Sequence, residues 1–283
     1  MGVRRARPGN ATIEWIVGLP TLSSMSNITV RPMQESLYRA ITDYRGLHPG
    51  EVEIWRSPND VESDSYERLR TLLVPEELAR AAAFRLQRDR KQYVIGRGLL
   101  RMLLAGYLRL DPLAVRFQYT SYGKPQLLFP SKDCNIQFNI AHSGAIILFG
   151  FTLEHRIGVD IEQMRSDVEI DDISQRFFSA SERQWISGLP PAQRSDAFFR
   201  CWTRKEAFLK GTGKGLSARL DSFDVISNPE EDCCSLETSD RRKWLIRDLD
   251  VEPGYAAAVA LEHVGDQSCA SEPRTSEVGP WPR

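Results

Sequence analysis

Apolar and polar residues change period several times along the chain, and each change marks an element. "EVEIWRSP" at 51–58 alternates and reads as a first strand. From about Glu67 to Leu110 apolar residues return at helical spacing. "VPEE" interrupts the run and sets Pro75 in the first turn of a new helix. Strand-like pieces follow: "AVRFQYT", "QLLF", "NIQFNIAHS", "AIILFGF" and "RIGVDIEQ". A second helical block covers "DDISQRFF", "SASERQWISGL" and "RSDAFFRCWTRKEAFLKGTG", and the strands "SFDVIS", "KWLIRDLD" and "GYAAAVALEH" close the pattern. Helices followed by strands in runs, in both halves, predict an α+β fold rather than a parallel sheet with alternating crossovers. The expected division is an N-terminal extension at 1–50, one α+β half at 51–154, a second at 155–264 and a tail at 265–283. The extension has weak periodicity. The tail is rich in Ser, Pro, Gly and charge and predicts disorder.

Composition adds little direction. The 283 residues carry a net charge of -1, with 41% hydrophobic and 27% charged residues, so no global field points to nucleic acid or membrane. No apolar run approaches the ~20 residues of a transmembrane helix, and no apolar core of a secretory signal follows the basic N-terminus. The five cysteines, Cys134, Cys201, Cys233, Cys234 and Cys269, form no CxxC pair, which predicts reduced thiols in a cytoplasmic protein rather than a disulfide frame or zinc site.

"GVDIE" raises the chemical question. Asp160 and Glu162 stand two apart on an expected strand, hence on one face, ~6.6 Å apart along the chain. Two such carboxylates can close on a hard cation such as magnesium. They can equally leave one side chain in solvent and pair the other with Arg165. In "WTRKEAFLKGTGKGLS", Glu206 and Lys210 are four apart on a helix. They read either as an exposed ion pair or as a third carboxylate, or base, beside a phosphate-binding lysine. Arg80, Arg85, Arg88, Arg90, Lys91, Arg97 and Arg101 face a single acid, Asp89, in one stretch, a local basic face on a nearly neutral chain. His142 ends a strand in "FNIAHSG", and Lys124 sits in the turn "YGKP". These residues alone also leave open a metal-dependent phosphohydrolase and a catalytically inert binding module.

Taken in order, "GKP", "FNIAHSG", "GVDIE", "RFFSASE" and "WTRKEAFLKGTGKGLS" resemble the 4′-phosphopantetheinyl transferases of the larger, Sfp-like subgroup, over roughly residues 52 to 262. The resemblance implies transfer of the phosphopantetheine arm of coenzyme A to a serine of an apo-carrier protein, with release of adenosine 3′,5′-bisphosphate. It implies a monomer of two similar α+β halves related by a pseudo-two-fold axis, with coenzyme A in the cleft between them. Asp160, Glu162 and Glu206 then match the magnesium carboxylates, with manganese as the substitute. Glu206 matches a ligand and base, and Lys210 the lysine at the pyrophosphate. Arg80, Lys124, His142, Asp160 and Lys210 match contacts to coenzyme A and its ion. The chain departs from the family pattern at Ala141, where a serine is usual, which implies a lost hydroxyl contact to coenzyme A. The carrier is expected to dock near Phe177 and Phe178, with Phe177 in the core and Arg176 and Arg183 steering an acidic partner. Acyl, peptidyl and aryl carriers of fatty acid, polyketide and nonribosomal peptide synthesis all stay open, and the alternative to an enzyme within this resemblance is a catalytically inert module that binds coenzyme A or a carrier protein.

Overall fold

The computed structural model describes residues 28–32, 47–120, 123–128, 135–153, 155–213, 219–226, 228 and 231–263. The elements run β1 (Ile28–Pro32), β2 (Val52–Pro58), α1 (Ser63–Thr71), α2 (Pro75–Ala82), α3 (Gln87–Leu108), β3 (Phe117–Tyr119), β4 (Pro125–Leu127), β5 (Ile136–Ser143), β6 (Ile146–Leu153) and β7 (Ile157–Gln163). They continue as α4 (Ile170–Phe177), α5 (Ala180–Gly188), α6 (Pro191–Thr212), β8 (Cys233–Glu237), β9 (Lys243–Asp248) and β10 (Tyr255–His263). The α+β class is as expected. β1 lies ahead of the boundary placed at 51 and pairs in parallel with β2, so part of the N-terminal segment joins the sheet. The predicted tail falls outside the described residues.

Two four-stranded sheets carry the architecture, ordered β1-β2-β6-β5 and β7-β10-β9-β8. The same connection occurs in each. β2 leads through three helices, the third of 22 residues, to a closing strand β6 that lies antiparallel between β2 and β5. β7 leads through three helices, the third again of 22 residues, to a closing strand β10 that lies antiparallel between β7 and β9. Apolar alternation fixes the layers. α3 covers one face of the first sheet through Ile95, Leu99 and Leu103 against Phe138, Phe149 and Phe151. α6 covers the second sheet through Phe198, Cys201 and Phe208 against Trp244, Ile246 and Ala258. The opposite faces pack on each other, with Ile54, Ala141 and Leu148 meeting Ile157, Val159, Ile161 and Val259. Burial on this scale, at roughly 25 cal/mol per Å² of apolar surface, is the dominant force holding the layers. No helix among the described residues is long and apolar enough to cross a membrane.

Three expectations need correction. "SFDVIS" is not a strand: Leu220–Ser222 is a single 3-10 turn and irregular backbone follows. Its polar groups are taken by buried charges. The Lys205 ammonium donates to the carbonyls of Leu220 (2.7 Å) and Phe223 (2.6 Å), and Arg204 donates to that of Val225 (2.9 Å). Val225 N–H donates to Glu182 (2.8 Å), so this backbone cannot also form a ladder, and the strand comes later, as β8. Phe177 does not take its expected place in the core. Phe178 is 0% exposed beneath α6, while Phe177 is 37% exposed with only its edge against Trp202. The basic face is also smaller than its charge count. Arg97 and Arg101 turn inward to Glu77, Arg101 at 2.6 Å. Cys201, Cys233 and Cys234 are free thiols.

Candidate functional site

β7 and α6 build the site by an unusually close approach. On β7 the odd positions Ile157, Val159 and Ile161 enter the apolar layer between the sheets, so Gly158, Asp160 and Glu162 face the helix side. At Gly158 a β-carbon would stand 2.0 Å from the Ala207 carbonyl oxygen and 2.3 Å from the Gly211 nitrogen. Helix backbone therefore lies directly on strand backbone. This contact sets Glu206 and Lys210 of α6 beside Asp160 and Glu162. Just beyond, the helix ends at Gly213 in the left-handed conformation (φ 70°), the residue type such an end favours.

Asp160 is buried, and its Oδ1 accepts from the Lys210 ammonium at 2.5 Å. Its Oδ2 is buried with no hydrogen-bond partner among the described residues. Burial lifts its pKa to about 7; Glu162 and Glu206 push the same way and Lys210 opposes them. Glu206, half-buried, is also raised, first by burial and then by Glu162, with Lys210 again opposing. Glu162 accepts from Ser143 Oγ at 2.8 Å. Neither bland alternative survives. Arg165 pairs with Asp167 at 3.6 Å, and Lys210 reaches across to the strand rather than along its helix.

Three carboxylates, one with an orphaned buried oxygen, form the donor set a hard divalent cation takes. Such a cation would offset the burial, and the smaller carboxylate repulsion, that raise the Asp160 and Glu206 pKa values. Among the described residues no three acidic, His or Cys side chains are drawn together closely enough to hold a metal as they stand. The fit therefore lies in donor chemistry and in the orphaned oxygen rather than in a closed cage.

Next to the carboxylates lies a cleft of about 280 Å³ between α3 and the first sheet, lined by Phe84, Tyr93, Arg97, Ile140 and His142 among others. His142 forms its end toward the carboxylates. Burial and Lys210 lower its pKa, and Glu162 opposes them. Arg80 sets its guanidinium over the rings of Tyr93 (5.7 Å), which lines the cleft, and Tyr119 (5.6 Å). Of the lining residues, Arg97 and Tyr93 each hold a buried donor, Nη1 and the hydroxyl, without a hydrogen-bond partner among the described residues. Unpaired donors of this kind are costly unless a ligand satisfies them.

Two sequence expectations meet different geometry. The Lys124 ammonium donates to the carbonyls of Lys210 (2.6 Å) and Ile157 (3.1 Å), and burial lowers its pKa to about 8. It ties the β3–β4 hairpin to the last turn of α6, where unpaired carbonyls want a cation. Ala141 is packed in the layer between the sheets, on the face of β5 opposite His142. The missing hydroxyl is thus a core position. The motif reading also passed over Glu182 and Lys205. This buried ion pair (2.8 Å) closes α5 onto α6. The signal was available, since Lys205 shares the buried stripe of Cys201 and Leu209 and a lysine there needs a buried partner. Asn139 and Ser143 were missed as well, although both lie inside the quoted motif.

A family model described as "4′-phosphopantetheinyl transferase superfamily" matches residues 156–260. A second, "4′-phosphopantetheinyl transferase, N-terminal", matches residues 55–150. The chain is 36% identical over 217 residues to the 4′-phosphopantetheinyl transferase HetI of Nostoc sp., covering 77% of this chain and 90% of that one. It is 32% identical over 198 residues to the 4′-phosphopantetheinyl transferase Sfp of Bacillus subtilis, covering 70% and 85%. It is 29% identical over 204 residues to the L-aminoadipate-semialdehyde dehydrogenase-phosphopantetheinyl transferase of Mus musculus, covering 66% of each.

Proposed function

The chain belongs to the 4′-phosphopantetheinyl transferase superfamily and is an enzyme that transfers the 4′-phosphopantetheine arm to carrier proteins. On that premise we propose that it takes the arm from coenzyme A and works at the β7–α6 carboxylates. The observation that carries this reading is Asp160, a buried carboxylate with one oxygen on Lys210 and the other without a partner among the described residues; Lys210 and its neighbour Glu162 in turn act on His142, which lines the cleft. The cleft suits the nucleotide part of coenzyme A. Tyr93 and Phe84 offer ring surface, Arg97 an unspent N–H, and Arg80 and His142 contacts to phosphate. The repeated order of strand, three helices and closing strand supports two halves related by a pseudo-two-fold axis, and a cofactor reaching from the cleft in the first half to the carboxylates of the second would lie across both.

In this reading the arm's phosphorus sits by Lys210. Its ammonium lies where negative charge gathers as the serine oxygen bonds to the β-phosphorus and the bond to the nucleotide bisphosphate breaks. Positioned charge of this kind is the main catalytic contribution in phosphoryl transfer. Asp160 holds Lys210 in place. Glu206, with a raised pKa, takes the serine proton. Magnesium, or manganese in its stead, would be held by Asp160, Glu162 and Glu206 and supplies Lewis-acid stabilisation of the pyrophosphate oxygens. Phe177, exposed beside Arg176 on α4, is the docking point for an acidic carrier, with Phe178 beneath it as support. A cytoplasmic monomer completes the reading.

Intact-mass measurement of apo-carrier proteins mixed with the enzyme, coenzyme A and magnesium tests the assignment. A gain of one phosphopantetheine on the carrier serine is expected. No gain on any acyl, peptidyl or aryl carrier at stoichiometric enzyme sinks it. Arg80→Ala should raise KM for coenzyme A about tenfold, the equivalent of about 1.4 kcal/mol of binding, with KM for the carrier unchanged. An unchanged coenzyme A KM would remove Arg80 from the site.

A further inference from the structure

β7 is an edge strand. β10 pairs with one side of it, and the strand facing its other side, β5, belongs to the other sheet. An edge strand exposes a row of N–H and C=O groups, and here the row runs from the buried Ile157 and Val159 to the exposed Gln163, so its buried groups need partners. Among the described residues no strand pairs with it, and side chains of the first half take three of its groups. Lys124 donates to Ile157 O at 3.1 Å, Asn139 Oδ1 accepts from Val159 N–H at 2.8 Å, and Ser143 Oγ accepts from Gln163 N–H at 3.0 Å. The three groups taken are all at odd positions of β7. Asp160 and Glu162 project from the positions between them.

We propose that Asn139 and Ser143 are positioning residues of the site, which lock β7 in register against the first half and aim its two carboxylates at α6. A one-residue slip of a strand sends every side chain to the opposite face, and here it would drive Asp160 into the apolar layer and Ile161 out of it. Asn139 opposes that slip, because it is buried and its oxygen meets a single amide. Ser143 acts more directly. Its hydroxyl accepts from Gln163 N–H and has its own proton to give, and it gives it to Glu162 Oε2 at 2.8 Å. One of the Glu162 oxygens is thereby fixed and the other left for chemistry. Asn139 and Ser143 share the face of β5 that carries Ala141, opposite His142, and so act through β7.

The inference rests on the reading of Glu162 as a site carboxylate, so its test has a kinetic and a structural arm. Ser143→Ala should lower kcat about tenfold, the usual scale for losing the partner that orients a functional ligand, with KM for coenzyme A within about twofold and Ser143→Thr returning most of the rate. By amide hydrogen exchange, Gln163 should lose protection in Ser143→Ala, and Val159 in Asn139→Ala, each by about tenfold or more, while the amides of β10 keep theirs. Wild-type kcat in Ser143→Ala, an equal loss in Ser143→Thr, or unchanged exchange at Val159 and Gln163 overturns the proposal. A wild-type enzyme that modifies no carrier overturns the transferase reading instead, and the exchange arm then decides the positioning role alone.

Discussion

Asp160→Asn is expected to cost at least ~10²-fold in transfer rate, the scale for removing a charged contributor at a reacting phosphate, while the metal-free protein becomes more heat-stable. The two effects share one cause. In the folded chain Asp160 ionises near pH 7 instead of 3.8, chiefly because it is buried, with Glu162 and Glu206 nearby adding to the shift. Between those values the folded state holds a proton that the unfolded state has released, so stability falls as pH rises from about 4 to about 7 and is level above. Asparagine has the same shape and no charge to desolvate. Lys210 loses its partner, but its side chain is 33% exposed and water can solvate it. The gap in melting temperature between variant and wild type, in chelator, should therefore open across pH 5, 6 and 7.5 in favour of the variant. Full transfer by Asp160→Asn would remove this carboxylate from the mechanism. A variant that melts lower at every pH would show that the Lys210 bond outweighs the burial cost.

What the sequence showed and what it hid follow from the range of the forces involved. Asp160 and Glu162 were legible because strand parity is local. Two carboxylates at i and i+2 share a face whatever they pack against. Glu206 and Lys210 were legible as a helical pair, but their partner was not: Lys210 bonds a residue fifty positions away. The same limit explains the misplaced strand. Phe223 and Val225 alternate as a strand should, yet their backbone is taken by Lys205, Arg204 and Glu182, from elements that only the fold brings near. It also explains the overcounted basic face, since Arg97 and Arg101 find Glu77 across a helix–helix contact. Phe177 and Phe178 show a finer failure. Adjacent residues at a helix end point different ways, and only the capping box of Ser179 with Glu182, which fixes how the next helix starts, decides which of them is covered. Lys124 resembled a ligand contact by motif, and its bonds to the backbone carbonyls of α6 and β7 were not legible there.

Gly158→Ala should be the most damaging single methyl in the protein. Its β-carbon would meet the Ala207 carbonyl oxygen at 2.0 Å, the Gly211 nitrogen at 2.3 Å and the Gly211 α-carbon at 2.8 Å. All three are backbone, so no rotamer change makes room, and α6 must lift from β7. Overpacking usually costs 1–3 kcal/mol. Here the loss should be about 3 kcal/mol or more, because the displaced helix also carries Phe198, Phe208 and the Lys205–Glu182 pair of the second core. The same movement carries Glu206 and Lys210 away from Asp160, so transfer should collapse even at temperatures where the variant stays folded. Gly211→Ala separates the two consequences. Its β-carbon would meet the buried Trp244 ring at 2.6 Å and the Gly158 nitrogen only at 3.2 Å, a looser backbone contact than those at Gly158, and its cost should be smaller in both stability and rate. Gly188→Ala, at the end of α5 with nothing within 4 Å of the added carbon, should be neutral or gain up to about 1 kcal/mol from helix propensity. Urea denaturation of the three variants ranks them. A Gly158→Ala protein as stable and active as Gly188→Ala would mean that strand and helix can part without disturbing the carboxylates, and the close approach would lose its place in building the site.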